Sequence, residues 1–381
     1  MSPRKLKVLR VYSRLETGGI ETRLIDLLPR LDRQRFDVSL LCIKRRGSLA
    51  DRLENQGVPV HAIRLHGHTP QPLSLWRLKR WLKARKPDIV HAHTIEPALY
   101  ATAAGHRAGT PVLLANYHNV RSIDTRRQIR LERTQSKLRA ATLHVSACVH
   151  RDYLDQVNPL VDNGVVIYNG VDIERFATRP DASARDAKLR ELGLDPERGP
   201  RVLSVGRLHR NKNCLAQVRV AERLRARFPG LTWILAGEGP ARDEMQRAID
   251  ELGLGDTVRL LGDRKDVREL YHLVDLHLLS SLKEGFSNVV LEAMAAGCPQ
   301  VLTDVGGNRE AVGDDDAAAI VIPPGDDDAL ENAVERVLSD EGRRDSMRRV
   351  ARERVERFSV ASQLRATEEL YSRLALERGL I

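Results

Sequence analysis

Lys283 to Pro299 reads KEGFSNVVLEAMAAGCP, and this stretch decides how the rest of the chain is read. It follows an apolar run, Leu276–Leu279, of the length and composition of a buried strand. Gly285 permits a tight turn and a close approach of backbone to a ligand. Ser287 and Asn288 are both good helix N-caps, and Val289, Val290, Ala293, Met294 and Ala296 then recur at helical spacing. Gly297 and Pro299 stop the helix. Glu284 lies in the turn, and Glu292 lies just over two helical turns further on, so it can point to the side of the helix that its N-terminus faces. A strand, a glycine turn and a helix N-terminus favour an anionic ligand, and carboxylates beside it can accept from sugar hydroxyls. Spacing alone equally fits a strand–turn–helix unit with two solvated glutamates.

Outward from this stretch, strand and helix alternate along the whole chain. In the first half, strands are expected at Lys7–Ser13, Phe36–Ile43, Val58–Leu65, Asp88–Thr94, Pro111–His118, Thr142–Ser146 and Val165–Tyr168. Helices are expected at Ile20–Leu31, Ser48–Gln56, Ser74–Arg85 and Arg121–Ala141. Thr17-Gly18-Gly19 joins the first strand to the first helix, a phosphate-tolerant turn that is a weak signal by itself. DIVHAHT ends in His91 and His93, which period-two alternation puts on one face; PVLLANYH ends in His118. Strand ends are where open α/β sheets take ligands, so one or more of these histidines can be functional and another simply packed.

A turn at Asn169-Gly170-Val171-Asp172 and a polar stretch to about Pro200 read as a domain boundary. Beyond it, strands are expected at Arg201–Val205, Thr232–Ala236, Val258–Leu261, Leu276–Ser280, Pro299–Thr303 and Ala318–Ile322. A final helix is expected from Val360 to about Arg378. Gly237-Glu238-Gly239-Pro240 lacks the third glycine of a dinucleotide fingerprint, since that position holds Arg242. The expected fold class is therefore α/β, with two Rossmann-like parallel-sheet domains facing a cleft. Residues 1–175 and 176–360 form the two domains, and 361–381 is a C-terminal helix that can cross back to the first.

A chain of 381 residues is long enough for two cores. Its four cysteines, Cys42, Cys148, Cys214 and Cys298, have neither disulfide nor metal spacing, which fits a reducing, cytoplasmic compartment. The basic start carries too short an apolar stretch for a signal peptide, and no run approaches the roughly 20 apolar residues of a membrane span. Residues 1–170 hold 29 Lys and Arg against 14 Asp and Glu; the remainder holds 33 against 38. The basic half calls for an anionic partner, either a membrane surface or a phosphorylated substrate. Nucleic acid is disfavoured, because no recognition motif or aromatic platform accompanies the charge. Ser74–Arg85, with Trp76 and Trp81, and the segment Arg121–Arg139 concentrate the excess. The first of these can lie on a membrane or pack Leu75, Leu78 and Leu82 on the sheet.

VIYNGVDIERF (Val166–Phe176), SVGRLHRNKN (Ser204–Asn213) and EGFSNVVLEAMAAG (Glu284–Gly297), in this order, resemble the family-four group of retaining GT-B glycosyltransferases, also called glycosyl transferases group 1. DIVHAHT and the early TGGIETRL are similar to its N-terminal elements, so the resemblance covers nearly the whole chain. It implies transfer of a sugar from a nucleotide-diphosphate sugar, a UDP-sugar being favoured, to a glycan or lipid-linked acceptor in envelope polysaccharide or lipopolysaccharide synthesis. It implies neither a cofactor nor a metal. Arg207 and Lys212 would hold the diphosphate, completed by amides of Gly18 and Gly19. Glu292 would accept from the ribose hydroxyls. Glu284 would bind the donor sugar, with Gly285, Phe286, Ser287, Asn288 and Val289 on the same surface. Arg264, in the loop from Gly262, would border the base. His118 would stand near the sugar, with His93 a second candidate. A nucleotide-sugar epimerase on the same fold and a non-catalytic binding relative are the alternatives.

Overall fold

A computed structural model describes residues 4–16, 18–120, 123 and 125–381. Thr17 and Arg121, named above in the glycine turn and the basic segment, lie outside the described residues. The chain divides into two compact units, Met1–Tyr168 with Val360–Ile381, and Asn169–Ser359.

The first unit is built on seven parallel strands: β1 (Leu6–Tyr12), β2 (Phe36–Cys42), β3 (Val60–Ala62), β4 (Ile89–His93), β5 (Val112–Tyr117), β6 (Ala141–His144) and β7 (Gly164–Val166). Their order is β3-β2-β1-β4-β5-β6-β7. The order in which strands are added across the sheet reverses between β1 and β4, where Arg10 lies opposite His91 in register. Such a switch point opens a crevice at the carboxyl ends of the two strands. Every residue of β4 is buried, as expected of an inner parallel strand covered on both faces.

The helix Val360–Glu377 completes this unit. Its Leu370, Tyr371, Leu374 and Ala375 join a core with Leu6, Val8, Phe36 and Val38. The Tyr371 ring meets Phe36 edge-on at 5.8 Å, a favoured aromatic geometry.

The second unit carries β8 (Arg201–Val205), β9 (Thr232–Ala236), β10 (Val258–Gly262), β11 (Leu276–Leu279), β12 (Gln300–Thr303) and β13 (Ala319–Ile322). These strands are again all parallel, in the order β10-β9-β8-β11-β12-β13, with the switch point between β8 and β11. Its core runs from Val202 and Trp233 through Met245 and Leu278 to Val334 and Met347.

Several expectations need correction. The polar stretch after Asn169 is not a bare linker but holds helices Ile173–Ala177 and Ala182–Glu191, capped by the side chains of Asp172 and Asp181. The second of these buries only Leu189, so it leaves no periodic apolar signal in the sequence. The helix expected from Arg121 spans Arg126–Gln135. It starts there because Thr125 and Gln128 form a reciprocal capping box. The helix Pro72–Arg85 buries Ser74, Leu78 and Leu82, runs beside the helix Ile95–Ala108 and sets Trp81 edge-on to His61 of β3 at 5.5 Å.

Candidate functional site

In the second unit, the loops after β8 and β11 are stitched together at the switch point. Ser280 donates to the carbonyl of Lys212 at 2.9 Å, and the Leu282 amide donates to the carbonyl of Asn211 at 2.7 Å. Beneath them, the buried Gln217 amide donates to Ser280 at 2.8 Å and its oxygen accepts from Ser204 at 2.7 Å. The Trp233 indole also donates to that oxygen, at 3.1 Å. A satisfied buried network of this kind rigidifies the loops above it.

These loops bring Lys212 and Glu284 into contact, although 72 positions separate them: the ammonium donates to a carboxylate oxygen that also accepts from Ser281 at 2.7 Å. Glu284 is mostly buried and Lys212 about a quarter exposed. Arg207 follows β8 and is exposed. A narrow hollow of about 20 Å³ is lined by Gly206, Arg207, Lys212, Cys214, Gln217 and Leu279. Both cations line this hollow at the carboxyl end of the sheet, and Glu284 adjoins it through its contact with Lys212.

The turn Glu284–Asn288 is held from three sides. Asn169 donates to the carbonyl of Phe286 and to the side-chain oxygen of Asn288, each at 3.1 Å. The buried Phe286 ring packs on Phe358 at 5.3 Å. The Gly307 amide donates to the carbonyl of Gly285 at 2.7 Å. Gly306, at φ 57°, lies so near that a Cβ there would stand 2.4 Å from the carbonyl oxygen of Glu284. The helix Asn288–Ala296 begins after Ser287, whose side chain makes no capping hydrogen bond, and ends at left-handed Gly297. Val289 and Glu292 sit on its partly exposed side, where the Tyr271 hydroxyl lies 3.3 Å from the Val289 carbonyl and from Glu292 Oε2. Burial and the Glu292 charge push the Tyr271 hydroxyl well above its usual range, so it stays a donor.

Arg264 lies in the loop after β10. Its guanidinium forks onto Asp266, with Nε 2.8 Å from Oδ1, and Lys188 meets the same carboxylate at 2.6 Å. The loops after β9 and β10 touch through a Gly237–Gly262 bridge.

In the first unit, Gly18 is the N-cap of the helix Gly19–Leu27. Its backbone is extended, and an added Cβ would meet only the Glu21 carboxyl, at 2.4 Å, the movable end of a side chain. That carboxyl accepts from Tyr12 at 3.1 Å, and burial pushes its pKa up. His91 and His93 are both buried and stack 4.7 Å apart. His93 Nδ1 lies 2.9 Å from His118 Nε2, so the strand-end histidines of β4 and β5 form a pair. Thr94, which follows His93, has φ 67° and ψ 165°, a region that β-branched residues rarely enter; such outliers concentrate at functional sites.

Family comparisons fall on these same elements. Residues 17–175 match the family model for glycosyltransferase family 4, and residues 185–354 that for glycosyl transferases group 1. A glycogen synthase of Mycobacterium tuberculosis is 30% identical over 77% of this chain and 70% of its own length. The chain belongs to the group 1 glycosyltransferases. An Escherichia coli UDP-Gal:α-D-GlcNAc-diphosphoundecaprenol α-1,3-galactosyltransferase is 26% identical to this glycosyltransferase, over 96% of this chain and 97% of its own. Among solved structures, HepE of Anabaena in complex with UDP superposes with a TM-score of 0.85, over 97% of this chain and 100% of that one, at 22% identity. That likeness shows the shared GT-B fold.

Several residues that hold these two clusters together carry little signal in the sequence. Asn169 stands in a quoted motif but was read only as a turn. Gln217 is a polar residue among Ala216, Val218, Val220 and Ala221, and that anomaly was readable. Arg10 and Tyr371 offered no local signal. Arg139, counted with the basic surface, is buried: it pairs with Glu132, and both side chains are wholly inaccessible. Burial would raise the Glu132 carboxyl, but Arg139 holds it below its usual range.

Proposed function

We propose that this glycosyltransferase retains anomeric configuration and moves a sugar from a nucleotide diphosphate, UDP being favoured, to a hydroxyl of a glycan or lipid-linked acceptor. The observation that carries this reading is the Lys212–Glu284 pair beside Arg207 at the β8–β11 switch point. Arg207 and Lys212 neutralise the charge that grows on the diphosphate as the glycosidic bond breaks, and no metal is required. Glu284, held by Lys212 and Ser281, accepts from donor-sugar hydroxyls. Glu292 accepts from the ribose. Gly285, Phe286, Ser287, Asn288 and Val289 form the wall of the sugar site, and Arg264 with its loop flanks the base. Gly18 and Gly19 offer amides to the phosphates, and His118, backed by His93, contacts the sugar. Attack comes from the face the diphosphate leaves: the acceptor oxygen bonds to the anomeric carbon while its proton passes to the departing phosphate oxygen. Removing either cation should lower turnover about tenfold to a thousandfold while leaving the fold intact. Near-normal transfer by Arg207→Ala or Lys212→Ala would overturn the assignment. A thermal-shift screen of nucleotide sugars identifies the donor, since a ligand of the folded state raises the melting temperature.

We further propose that the enzyme works on the inner face of a cytoplasmic membrane, on an envelope acceptor. The helix Pro72–Arg85 supports this: Leu73 is 69% exposed and Trp76 55%, with Arg77, Arg80 and Lys83 outside the packed face. Arg126, Arg127, Arg130, Arg133 and Lys137 add exposed cations; Arg139 does not. Among the described residues no helix is long and apolar enough to cross a membrane, so docking would be peripheral. Each cation near an anionic surface contributes about 1 kcal/mol. Liposome sedimentation tests this. The full chain should bind anionic vesicles at low salt and release at high salt, and reversing Lys79, Arg80 and Lys83 should weaken binding. No binding at low salt would favour a soluble, phosphorylated acceptor.

A further inference from the structure

Arg10 is a buried cation in the middle of β1 with no carboxylate partner among the described residues. Its neighbours are histidines. Arg10 Nη1 lies 2.8 Å from His91 Nδ1 and 3.0 Å from His93 Nε2. A guanidinium only donates, so His93 Nε2 must accept. A neutral imidazole with a bare Nε2 carries its proton on Nδ1. His93 Nδ1 is the atom that meets His118 Nε2, at 2.9 Å. His93 therefore donates, His118 Nε2 accepts, and the proton of His118 is left on Nδ1.

No second hydrogen bond to His118 exists among the described residues, and its side chain is partly exposed at the end of β5. The rings are packed and not free to exchange roles: His91 on His93 at 4.7 Å, His93 on His118 at 5.2 Å. The groups facing the chain are Arg10 and Tyr12 from β1, His91 and His93 from β4, and Tyr371 from the C-terminal helix, whose hydroxyl is 2.7 Å from His91 Nδ1. Tyr12 in turn carries the Glu21 carboxyl. Burial first, then the Arg10 cation, hold His118 down to about 3.

We propose that Arg10 is a positioning residue: by donating to His93 it fixes the proton of His118 on Nδ1, so that His118 meets a ligand as a neutral hydrogen-bond donor and not as a base. The part that concerns a ligand rests on His118 contacting the substrate, as argued above. A donor there suits a hydroxyl or phosphate oxygen, and it leaves the acceptor's proton for the departing phosphate.

The test is the ring 15N pattern of the full chain labelled in its 12 histidines, with His118 assigned from the spectrum of His118→Gln. In the wild type, Nδ1 should be protonated and Nε2 bare from about pH 5.5 to 8, with no titration in that window. Arg10→Met removes the donor at similar volume; His118 should then populate the Nε2–H form and titrate nearer its ordinary value. Arg10→Lys keeps a donor and should restore the wild-type pattern. In transfer assays Arg10→Met should lower kcat about tenfold or more and add an acid limb to its pH profile. A wild-type His118 protonated on Nε2, or one that titrates near 6.5, overturns the proposal. An Arg10→Met pattern identical to wild type does the same. If that variant does not fold, the wild-type spectrum decides alone. The spectra need no substrate, so their failure leaves the transferase reading standing. Full transfer by His118→Gln would remove the substrate contact without moving the tautomer.

Discussion

Gly306→Ala separates geometry from strain at the site. Gly306 has φ 57°, and an alanine Cβ there would stand 2.4 Å from the Glu284 carbonyl oxygen and 2.7 Å from that of Gly285. Both neighbours are backbone, so no side chain can swing aside. Opening the closer contact to the 3.0 Å below which Cβ atoms are not found needs at least 0.6 Å, and a relaxed contact needs about 1 Å. That displacement falls on the turn carrying Glu284. A misplacement of about 1 Å at a reacting site can cost on the order of a hundredfold in rate. The left-handed backbone itself costs about 1–2 kcal/mol in stability for a residue with a Cβ. Gly325→Ala supplies the control, since Gly325 has φ 80° and nothing within 4 Å of the added carbon. Both variants should lose stability, Gly306→Ala somewhat more. Only Gly306→Ala should lose turnover, about tenfold to a hundredfold, in a sugar-transfer assay run alongside thermal melts. Equal kcat values in the two variants would refute the claim that the Gly306 contact positions Glu284.

Other outcomes follow from the same geometry. Glu292→Gln should weaken binding of the full nucleotide while leaving affinity for pyrophosphate nearly unchanged; calorimetry showing equal losses for both ligands would reject the ribose role. Arg139→Met strands the buried Glu132 carboxylate and should cost about 3–5 kcal/mol in urea unfolding; a loss below about 1 kcal/mol would mean the pair is not buried as described. His91, His93 and His144 are buried and held low chiefly by desolvation, His144 to about 3. Below about pH 6.5 the unfolded chain takes up protons that the folded chain refuses, so each contributes stability that is lost as pH falls, by up to about 1.4 kcal/mol per pH unit. Both ring nitrogens of His144 lack partners among the described residues, so His144→Phe should flatten the acid limb of the melting curve; an unchanged slope would show that His144 does not titrate on unfolding.

Local chemistry explains what the sequence could show. Gly285, Ser287, Gly297 and Pro299 punctuate their own neighbourhood, so the helix Asn288–Ala296 was readable to within a residue. β8 and β9 were readable to the residue as apolar runs bounded by turn residues. What stayed hidden was contact across sequence distance. Nothing near Arg10 announces that His91 and His93 will flank it. The brace from Asn169 to Phe286 spans 117 positions. Arg139 looked like a surface cation because its partner Glu132 sits among arginines, and only burial distinguishes it from them. Gly306 follows the strand Pro299–Thr303 as an ordinary turn glycine in sequence, and its need for close approach to Glu284 is a tertiary fact.

The return of the chain to the first unit at Val360 also sets an order of events at the ribosome. The sheet β1–β7 is synthesised first, yet Tyr371 and Leu374, which seal its core against Phe36, emerge about 200 residues later, on the order of 10–40 seconds at usual elongation speeds. Throughout that interval the nascent first half has an unsealed apolar face, while Asn169–Ser359 is contiguous and can close as soon as it clears the exit tunnel. The half made second is therefore free to mature first, and for that interval the apolar face awaiting residues 360–377 is open to other chains.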